Sequence, residues 1–287
     1  MTLHAHLCRR WISLSMAIWL IGCTAAAPLP DRSAATPTAA ATAATSEIKP
    51  ELEKYFDGAP GTFVLYDLNR NQYLRYNPER SAERFLPAST FKILNSLISL
   101  ETGVIPDENT VINWDGTAYA VPAWNQDHTL RSAIKDSVVW YYQELARRVG
   151  AERMQKYVDA AGYGNRDITG NIDSFWLDGA LRISADEQVH FLKRLYQNNL
   201  PFSPRTLDIV KDILILDKTP VSRLSGKTGT QLRVKPSINW FVGYVEKDGN
   251  AYIFATNLEL PEGVTDNTRA KEITLRILRD LELIPSH

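Results

Sequence analysis

The sequence predicts an α+β fold, in which a central antiparallel sheet formed by N- and C-terminal strands is flanked by helices, with a mostly helical insertion. Two patterns predict it. Residues 62–76 alternate in the manner of strands, whereas apolar residues from about 89 to 213 recur at helical spacing. After residue 222 the period changes from 3.6 to 2, which indicates further strands. Strands at both ends of the chain favour one antiparallel sheet packed by helices.

The first predicted elements are a pair of strands followed by a helix. Thr62–Leu68 alternates and is rich in β-branched and aromatic residues, and 69–71 forms a turn before Gln72–Tyr76. A helix is predicted to start near Ser89 and to end at Gly103, a favourable C-cap residue.

The middle of the chain is predicted to be helical. Residues 131–149 are interpreted as one helix, because five apolar residues fall on a single stripe: Ile134, Val138, Tyr141, Leu145 and Val149. Further helices fit 151–161, 184–197 and 204–213.

The C-terminal part returns to strands. Strands are predicted at Ser222–Lys227, Ile238–Val245 and Ala251–Leu258, with a hairpin turn at 247–250. A final helix is predicted over about 267–282.

The N-terminus has the pattern of an export signal. Arg9-Arg10 precedes an apolar stretch from Trp11 to Ile21 that is too short to span a bilayer, so residues 1–22 are predicted to be a signal peptide. Leu20-Ile21-Gly22-Cys23 resembles a bacterial lipobox, in which Cys23 would be lipidated. Cleavage near 25–27, which would discard Cys23, stays open as the alternative. The protein is expected to be exported to the periplasm, with any membrane attachment through Cys23.

Residues 23–46 are predicted to be a tether, and 47–287 to form one catalytic domain. The tether is rich in Ala, Thr and Pro and lacks the large apolar side chains that offset the entropy of ordering.

Composition excludes several classes of protein. The 32 basic and 33 acidic residues give a net charge of -1, which argues against nucleic-acid binding. The two cysteines, Cys8 and Cys23, both lie in the leader region, so the domain has no thiolate zinc ligands and no disulfide framework. Residues 47–287 contain no H-x-H or H-E-x-x-H, and neither a metal nor a cofactor is expected. Since no G-x-S-x-G occurs, His128 and His190 are interpreted as surface or packing residues.

Three short motifs are candidates for chemistry. Ser89-Thr90-Phe91-Lys92 is an S-x-x-K at a predicted helix start, where serine and lysine share one face. A serine hydroxyl needs an adjacent base, and a lysine serves as one when burial disfavours its charged form. Apolar neighbours of Lys92 indicate such burial. Ser137-Val138-Val139 offers a second hydroxyl for proton relay.

The third motif, Lys227-Thr228-Gly229, ends a predicted strand. It lies 138 residues after Ser89 and would let a substrate approach an edge strand, with Lys227 and Thr228 as donors to an anion. S-x-x-K followed by K-T-G is typical of penicillin-recognising serine enzymes. The middle motif differs from the S-D-N of class A β-lactamases.

The chain resembles the class D, oxacillinase-type serine β-lactamases over about residues 50–285. The resemblance rests on five motifs in family order: 89–92, 137–139 followed by 140–144 (WYYQE), 163–165 (YGN), 173–177 (DSFWL) and 227–229. It implies the penicillin-recognising serine enzyme fold and hydrolysis of β-lactam antibiotics through a serine acyl-enzyme. The Y-G-N motif at 163–165 is assigned a structural role as a tight turn beside the site.

The resemblance also implies roles for individual residues. Ser89 would be the nucleophile, and Lys92, carboxylated by CO2 to N6-carboxylysine, the general base. Ser137 and Lys227 would relay protons and hold the substrate anion. The residues that match the surroundings of the carbamate are Trp176, Val139, Phe91 and Leu177.

Substrate contacts follow from the same resemblance. Thr228 and Arg269 match positions that bind the substrate carboxylate, and Arg269 rests on its position in the last helix alone. The backbone N–H groups of Ser89 and Thr230 would form the oxyanion hole. Trp124 is a candidate wall of the substrate cleft.

Two other functions stay open. A β-lactam sensor domain would be acylated without turnover, and a cell-wall transpeptidase or carboxypeptidase would use the same serine. Substrate range, including carbapenem hydrolysis, depends on the geometry of Thr230–Ser237, and no pattern specifies an oligomeric state.

Overall fold

The computed structural model describes residues 44–264 and 268–286. Within these ranges, seven strands form one sheet: β1 Thr45–Ile48, β2 Gly61–Asp67, β3 Gln72–Tyr76, β4 Ile215–Lys218, β5 Ser222–Gln231, β6 Ile238–Lys247 and β7 Asn250–Glu259. Their order across the sheet is β1-β3-β2-β7-β6-β5-β4. The predicted signal peptide, Cys23 and most of the predicted tether lie outside the described residues.

The described helices surround this sheet. They are α1 Pro78–Ala82, α2 Lys92–Glu101, α3 Leu130–Lys135, α4 Val139–Val149, α5 Ala151–Ala161, α6 Ala185–Tyr196, α7 Pro204–Ile213 and α8 Arg269–Asp280, with short 3-10 helices at Pro50–Tyr55, Ala88–Phe91 and Pro122–Trp124. In the part of the chain that is described, no helix is long and apolar enough to cross a membrane.

The predicted α+β architecture is confirmed, with one addition at the sheet edge. Neighbouring strands pair antiparallel throughout the sheet except that β1 pairs parallel with β3, Thr45 opposite Gln72. Thr45 and Ser46, which fall within the predicted tether, belong to this strand.

Both faces of the sheet are buried, as strand β6 illustrates. Trp240 and Val242 pack into the core shared with α2, α4 and α6, whereas Phe241 and Val245 pack into the core shared with α8. Successive side chains of a strand point to opposite faces, so a strand covered on both sides is apolar without interruption. The sheet consequently holds a mostly helical layer on the face that carries the site described below.

The predicted single helix over 131–149 is wrong. The chain leaves the helix after Lys135 and re-enters it at Val139, because Ser137 has a φ of 55° and Val138 is extended. The apolar stripe continues across the break because α3 and α4 bury the same side. A residue other than glycine in the left-handed conformation costs roughly 1–2 kcal/mol. Such a residue does not change the spacing of the apolar residues, so the sequence pattern does not reveal it. Ser137 therefore lies in a turn and not within a helix.

The predicted hairpin before β7 is confirmed. Asp248 and Gly249 both have positive φ, 51° and 72°, as a two-residue turn between right-twisted strands requires. Lys247 pairs with Asn250 across the turn.

Candidate active site

Ser89 lies on a turn that leads directly into α2. The 3-10 helix Ala88–Phe91 continues into α2 at Lys92, so Ser89 and Lys92 lie three residues apart on one face. Their side chains meet, with Lys92 Nζ 2.6 Å from Ser89 Oγ. The turn is anchored by the Ala88 N–H, which donates to the Trp176 carbonyl at 3.0 Å.

Lys92 is buried, as its apolar neighbours predicted. It is 1% exposed, and its amine also contacts the carbonyl of Ser137 at 3.0 Å and Ser137 Oγ at 3.1 Å. Burial lowers the pKa of Lys92 well below its usual value, and the nearby charge of Lys227 lowers it further. This environment favours the neutral amine, the form that can accept a proton.

A second buried lysine completes a chain of polar groups. Lys227 Nζ lies 2.9 Å from Ser137 Oγ and 3.1 Å from the Thr228 carbonyl. Burial lowers the pKa of Lys227 to about 7, with a smaller contribution from the charge of Lys271. Ser137 Oγ thus bridges the two lysines, which connects Lys227 through Ser137 and Lys92 to Ser89.

Strand β5 forms one side of a cleft at this site. The short strand β4 pairs with β5 over 223–225, and no described strand pairs with that edge of β5 beyond Ser225. Gly229 brings this strand against the turn that carries Ser89, because a Cβ there would lie 3.0 Å from the carbonyl oxygen of Pro87. The cleft has a volume of about 320 Å³ and is lined by Ser89, Val121, Trp124, Asp136, Ser137, Val139, Leu177, Thr228, Gly229, Thr230, Gln231, Leu232 and Arg233.

An unpaired donor lies against Phe91, the residue that precedes Lys92. The Trp176 indole stacks on Phe91, with ring centroids 5.3 Å apart at 25°. Trp176 is fully buried, and its Nε1 has no hydrogen-bond partner among the described residues. Val139 and Leu177 add apolar surface at the cleft wall.

The 163–165 turn holds the segment that carries Trp176. Gly164 has a φ of +55°, and a Cβ there would lie 2.0 Å from the Arg182 carbonyl oxygen, so glycine is required. Asn165 Nδ2 donates to the Ala180 carbonyl at 2.9 Å, and its Oδ1 accepts from the Arg182 N–H at 2.9 Å. Tyr163 packs edge-on against Phe91. The geometry agrees with the structural role assigned to this turn.

Most, but not all, of the predicted substrate contacts line the cleft. Thr228, Thr230 and Trp124 line the cleft. The Trp124 indole N–H also donates to the Asp136 carbonyl at 3.0 Å. Arg269 does not line the cleft: it begins α8, and its guanidinium lies 3.5 Å from the Phe56 carbonyl oxygen.

Several cleft residues had no sequence signal. Val121 and Leu232 are exposed apolar residues at the cleft, 42% and 43% exposed. Arg233 pairs with Asp178 at 2.6 Å, which links the β5–β6 loop to the segment that carries Trp176. Gln231, at the end of β5, is 97% buried. Nothing in spacing distinguishes these residues, because they meet only through the fold.

The two described histidines, His128 and His190, lie outside the site. His128 is buried, and its ring nitrogens contact Ser132 Oγ and the Ala123 carbonyl, while His190 is exposed on α6. Both therefore fit the packing or surface roles predicted for them. Across 44–264 and 268–286, no group of His, Cys, Asp and Glu could hold a metal ion.

Comparison with known proteins places this site in a family. The penicillin-binding protein transpeptidase domain family matches residues 61–279. β-Lactamase OXA-48 of Klebsiella pneumoniae is 46% identical over 226 residues, which cover 78% of this chain and 84% of the relative. Regulatory protein BlaR1 of Bacillus licheniformis is 40% identical over 235 residues, 81% of this chain and 39% of that longer relative.

A solved structure agrees with these relatives. The class D β-lactamase YbXI from Nostoc superposes with a TM-score of 0.78 at 46% identity, covering 81% of this chain and 99% of that one. The S-x-x-K and K-T-G residues, which lie far apart in sequence, meet at one cleft in the same fold. The chain therefore belongs to the class D β-lactamase family of serine hydrolases.

Proposed function

We propose that the protein hydrolyses β-lactam antibiotics through an acyl-enzyme on Ser89, with N-carboxylated Lys92 as general base in acylation and deacylation. CO2 or bicarbonate would supply the carboxyl group, and no other cofactor is proposed. The named relatives, OXA-48 and the Nostoc protein, are β-lactamases, which supports the substrate class.

The observation that carries the carboxylated lysine is the unpaired indole of Trp176. An indole N–H is a donor only, and leaving a buried donor unpaired costs about 1–3 kcal/mol. Trp176 Nε1 is buried without a partner among the described residues, and its ring stacks on Phe91, which directly precedes a lysine whose pKa is well below its usual value. The neutral amine of Lys92 can add to the carbon of CO2 and lose one proton to water. The product has two acceptor oxygens, one of which would pair with the indole.

The apolar surroundings favour the same modification. Phe91, Val139 and Leu177 exclude water from the modified lysine, which would slow the loss of CO2. When present, the carboxylate supplies a base near Ser89 Oγ. The Lys92 side chain already lies within hydrogen-bond reach of that oxygen, as a base must.

Acylation would proceed along the polar chain described above. Ser89 Oγ attacks the lactam carbonyl carbon and gives its proton to the base at Lys92. The backbone N–H groups of Ser89 and Thr230 would stabilise the oxyanion. When the lactam C–N bond breaks, the nitrogen would take a proton from Ser137 Oγ, and Lys227 is placed to restore it at 2.9 Å. The proton taken from Ser89 would pass through Ser137 to Lys227, which frees the base. The base would then deprotonate a water molecule that attacks the ester carbonyl carbon, and Ser89 Oγ would take that proton back as its bond to the carbon breaks.

The substrate carboxylate would bind at the Lys227–Thr228 end of the cleft. Thr228 lines the cleft, and an anion bound there would favour the charged form of the buried Lys227 beside it. We include Arg269 in this role, which requires its guanidinium to leave the Phe56 carbonyl. A planar guanidinium suits bidentate binding of a carboxylate.

Turnover of a chromogenic cephalosporin by the purified protein, with bicarbonate present, tests this function. We expect steady hydrolysis over many turnovers. A single stoichiometric burst without further turnover would contradict hydrolysis and favour a sensor, as in the similar BlaR1, or a transpeptidase.

We also propose export to the periplasm, with a lipid anchor at Cys23. This rests on the basic and apolar leader and on Leu20-Ile21-Gly22-Cys23. The 23–46 segment would then separate the membrane from the folded domain.

A further inference from the structure

The cleft wall contains a buried amide whose polar atoms are both unpaired. Gln231 is the last residue of β5, lines the cleft and is 3% exposed. Neither its Oε1 nor its Nε2 has a hydrogen-bond partner among the described residues. A primary amide offers two donors and an acceptor, and burying all of them unpaired is destabilising. Leucine or methionine would fill the same space without this penalty.

The position of Gln231 on its strand ties this amide to the catalytic groups. Alternate residues of a strand share a face, so Gln231 lies on the face of Lys227 and Gly229. Lys227 on this face contacts Ser137, and Gly229 packs against the turn that carries Ser89. Thr230, which precedes Gln231, is the residue proposed to donate its N–H to the oxyanion.

This placement identifies the part of a β-lactam that comes closest. If the lactam carbonyl is held between Ser89 and Thr230, the carbon attached to that carbonyl lies beside the end of β5. In penicillins and cephalosporins this carbon carries an acylamino group, which has one N–H donor and one C=O acceptor. An amide side chain is complementary to both. Beyond it, Val121 and Leu232 offer exposed apolar surface to the rest of the substituent.

We infer that Gln231 is a specificity-determining residue that recognises the acylamino substituent of penicillins and cephalosporins. The inference rests on the proposed β-lactam hydrolysis. A rotation of the Gln231 side chain into the cleft would pair its amide with the substrate amide. The Gln231 amide would then be unpaired in the free enzyme and paired in the substrate complex. Substrates without the acylamino group would leave the amide unpaired, so the residue would discriminate against them.

The test compares two substrates that share one nucleus. Benzylpenicillin carries the acylamino group, and 6-aminopenicillanic acid has a free amine on the same carbon. We expect Gln231→Leu to lower the ratio of kcat/KM for benzylpenicillin to that for 6-aminopenicillanic acid by about tenfold, the effect of about one hydrogen bond. The melting temperature should stay equal or rise, because a buried unpaired amide is removed.

A matched variant controls for the loss of a buried glutamine. Gln188 is fully buried with an unpaired Oε1, but it contacts Thr90 and does not line the cleft. Gln188→Leu should leave the substrate ratio unchanged. If Gln231→Leu does not fold, Gln231→Met, which keeps the length of the side chain, gives the same comparison.

The outcomes separate this inference from the proposed function. An unchanged ratio, with both substrates slowed equally or not at all, would overturn the role of Gln231 and leave hydrolysis intact. Absence of turnover by the wild-type protein on both substrates would instead contradict the proposed function. A lowered ratio in Gln231→Leu but not in Gln188→Leu supports the inference.

Discussion

Lys92 Nζ lies 2.6 Å from Ser89 Oγ, and the amine that makes this contact is almost completely sealed from solvent. A lysine in this environment is a poor cation, because burial and the neighbouring Lys227 both disfavour its charge. The same property would make it a base and would allow it to react with CO2. The short contact between serine and lysine therefore connects burial to catalysis.

The first prediction concerns carboxylation of Lys92. Protein equilibrated with carbon-13 bicarbonate at pH 7.5 should show a carbamate resonance in NMR that is absent from Lys92→Met. The signal and the activity should both fall as the pH is lowered through the depressed pKa of Lys92, because the protonated amine cannot add CO2. Excess bicarbonate should oppose that loss. Active protein without the resonance would rule out the modified lysine.

The second prediction concerns the indole of Trp176. Trp176→Phe keeps an aromatic ring against Phe91 but removes the unpaired N–H. We expect deacylation to slow by at least tenfold, the equivalent of 1.4 kcal/mol, so that acyl-enzyme accumulates in mass spectra. Bicarbonate should partly restore turnover.

Trp240→Phe is the matched control for Trp176→Phe. Trp240 is also buried, but its indole donates to the Leu86 carbonyl at 3.0 Å. This variant should lose stability without accumulating acyl-enzyme. Accumulation in both variants, or in neither, would contradict the role proposed for Trp176.

The third prediction follows from the pKa of Lys227, about 7 in the folded protein. A free lysine has a pKa near 10.4, so between these values the unfolded chain binds more protons than the folded one. Stability should therefore rise with pH across this window, by at most about 1.4 kcal/mol per pH unit from this group.

Denaturant unfolding of the wild type and of Lys227→Met from pH 7 to 10 measures this contribution. Lys92 shifts in the same direction, and the charge of Lys227 contributes to that shift, so the difference between the two proteins measures Lys227 together with its effect on Lys92. If the free energies of unfolding of the wild type and of Lys227→Met change equally with pH, Lys227 has no depressed pKa.

The fourth prediction concerns the ion pair between Arg233 and Asp178. Their side chains are 55% and 36% exposed, so the pair should contribute less than about 1 kcal/mol to stability. It joins the β5–β6 loop to the segment of Trp176, however, and its loss should change KM more than the melting temperature. A double-mutant cycle of Arg233→Ala and Asp178→Ala checks both. A coupling free energy between the two substitutions well above 1 kcal/mol would contradict this prediction, because solvent would then not be screening the ion pair.

The fifth prediction concerns Cys23. Cells expressing the full chain should incorporate labelled palmitate into this protein, and Cys23→Ala should abolish the label. Cys8→Ala is the control and should keep it. An unlabelled wild-type protein would favour cleavage near 25–27 and a freely periplasmic enzyme.

Local patterns predicted the secondary structure well where backbone geometry was ordinary. Strand Gln72–Tyr76 and helices 151–161 and 204–213 have the predicted bounds. The break at Ser137 escaped prediction, because a left-handed residue between two helices with a common buried side leaves the apolar spacing intact. Strand β1 escaped for a different reason: Thr45–Ile48 is exposed and lacks an apolar pattern.

The sequence by itself determined the family and singled out the proposed nucleophile and base, because S-x-x-K and K-T-G are local motifs with fixed residue types. It also indicated that Lys92 is buried, through its apolar neighbours. Only the tertiary structure decided that Ser137 Oγ bridges Lys92 and Lys227, that the Trp176 indole is unpaired, and that Arg269 lies against Phe56. These are relations between side chains distant in sequence, and packing, not local propensity, sets their distances.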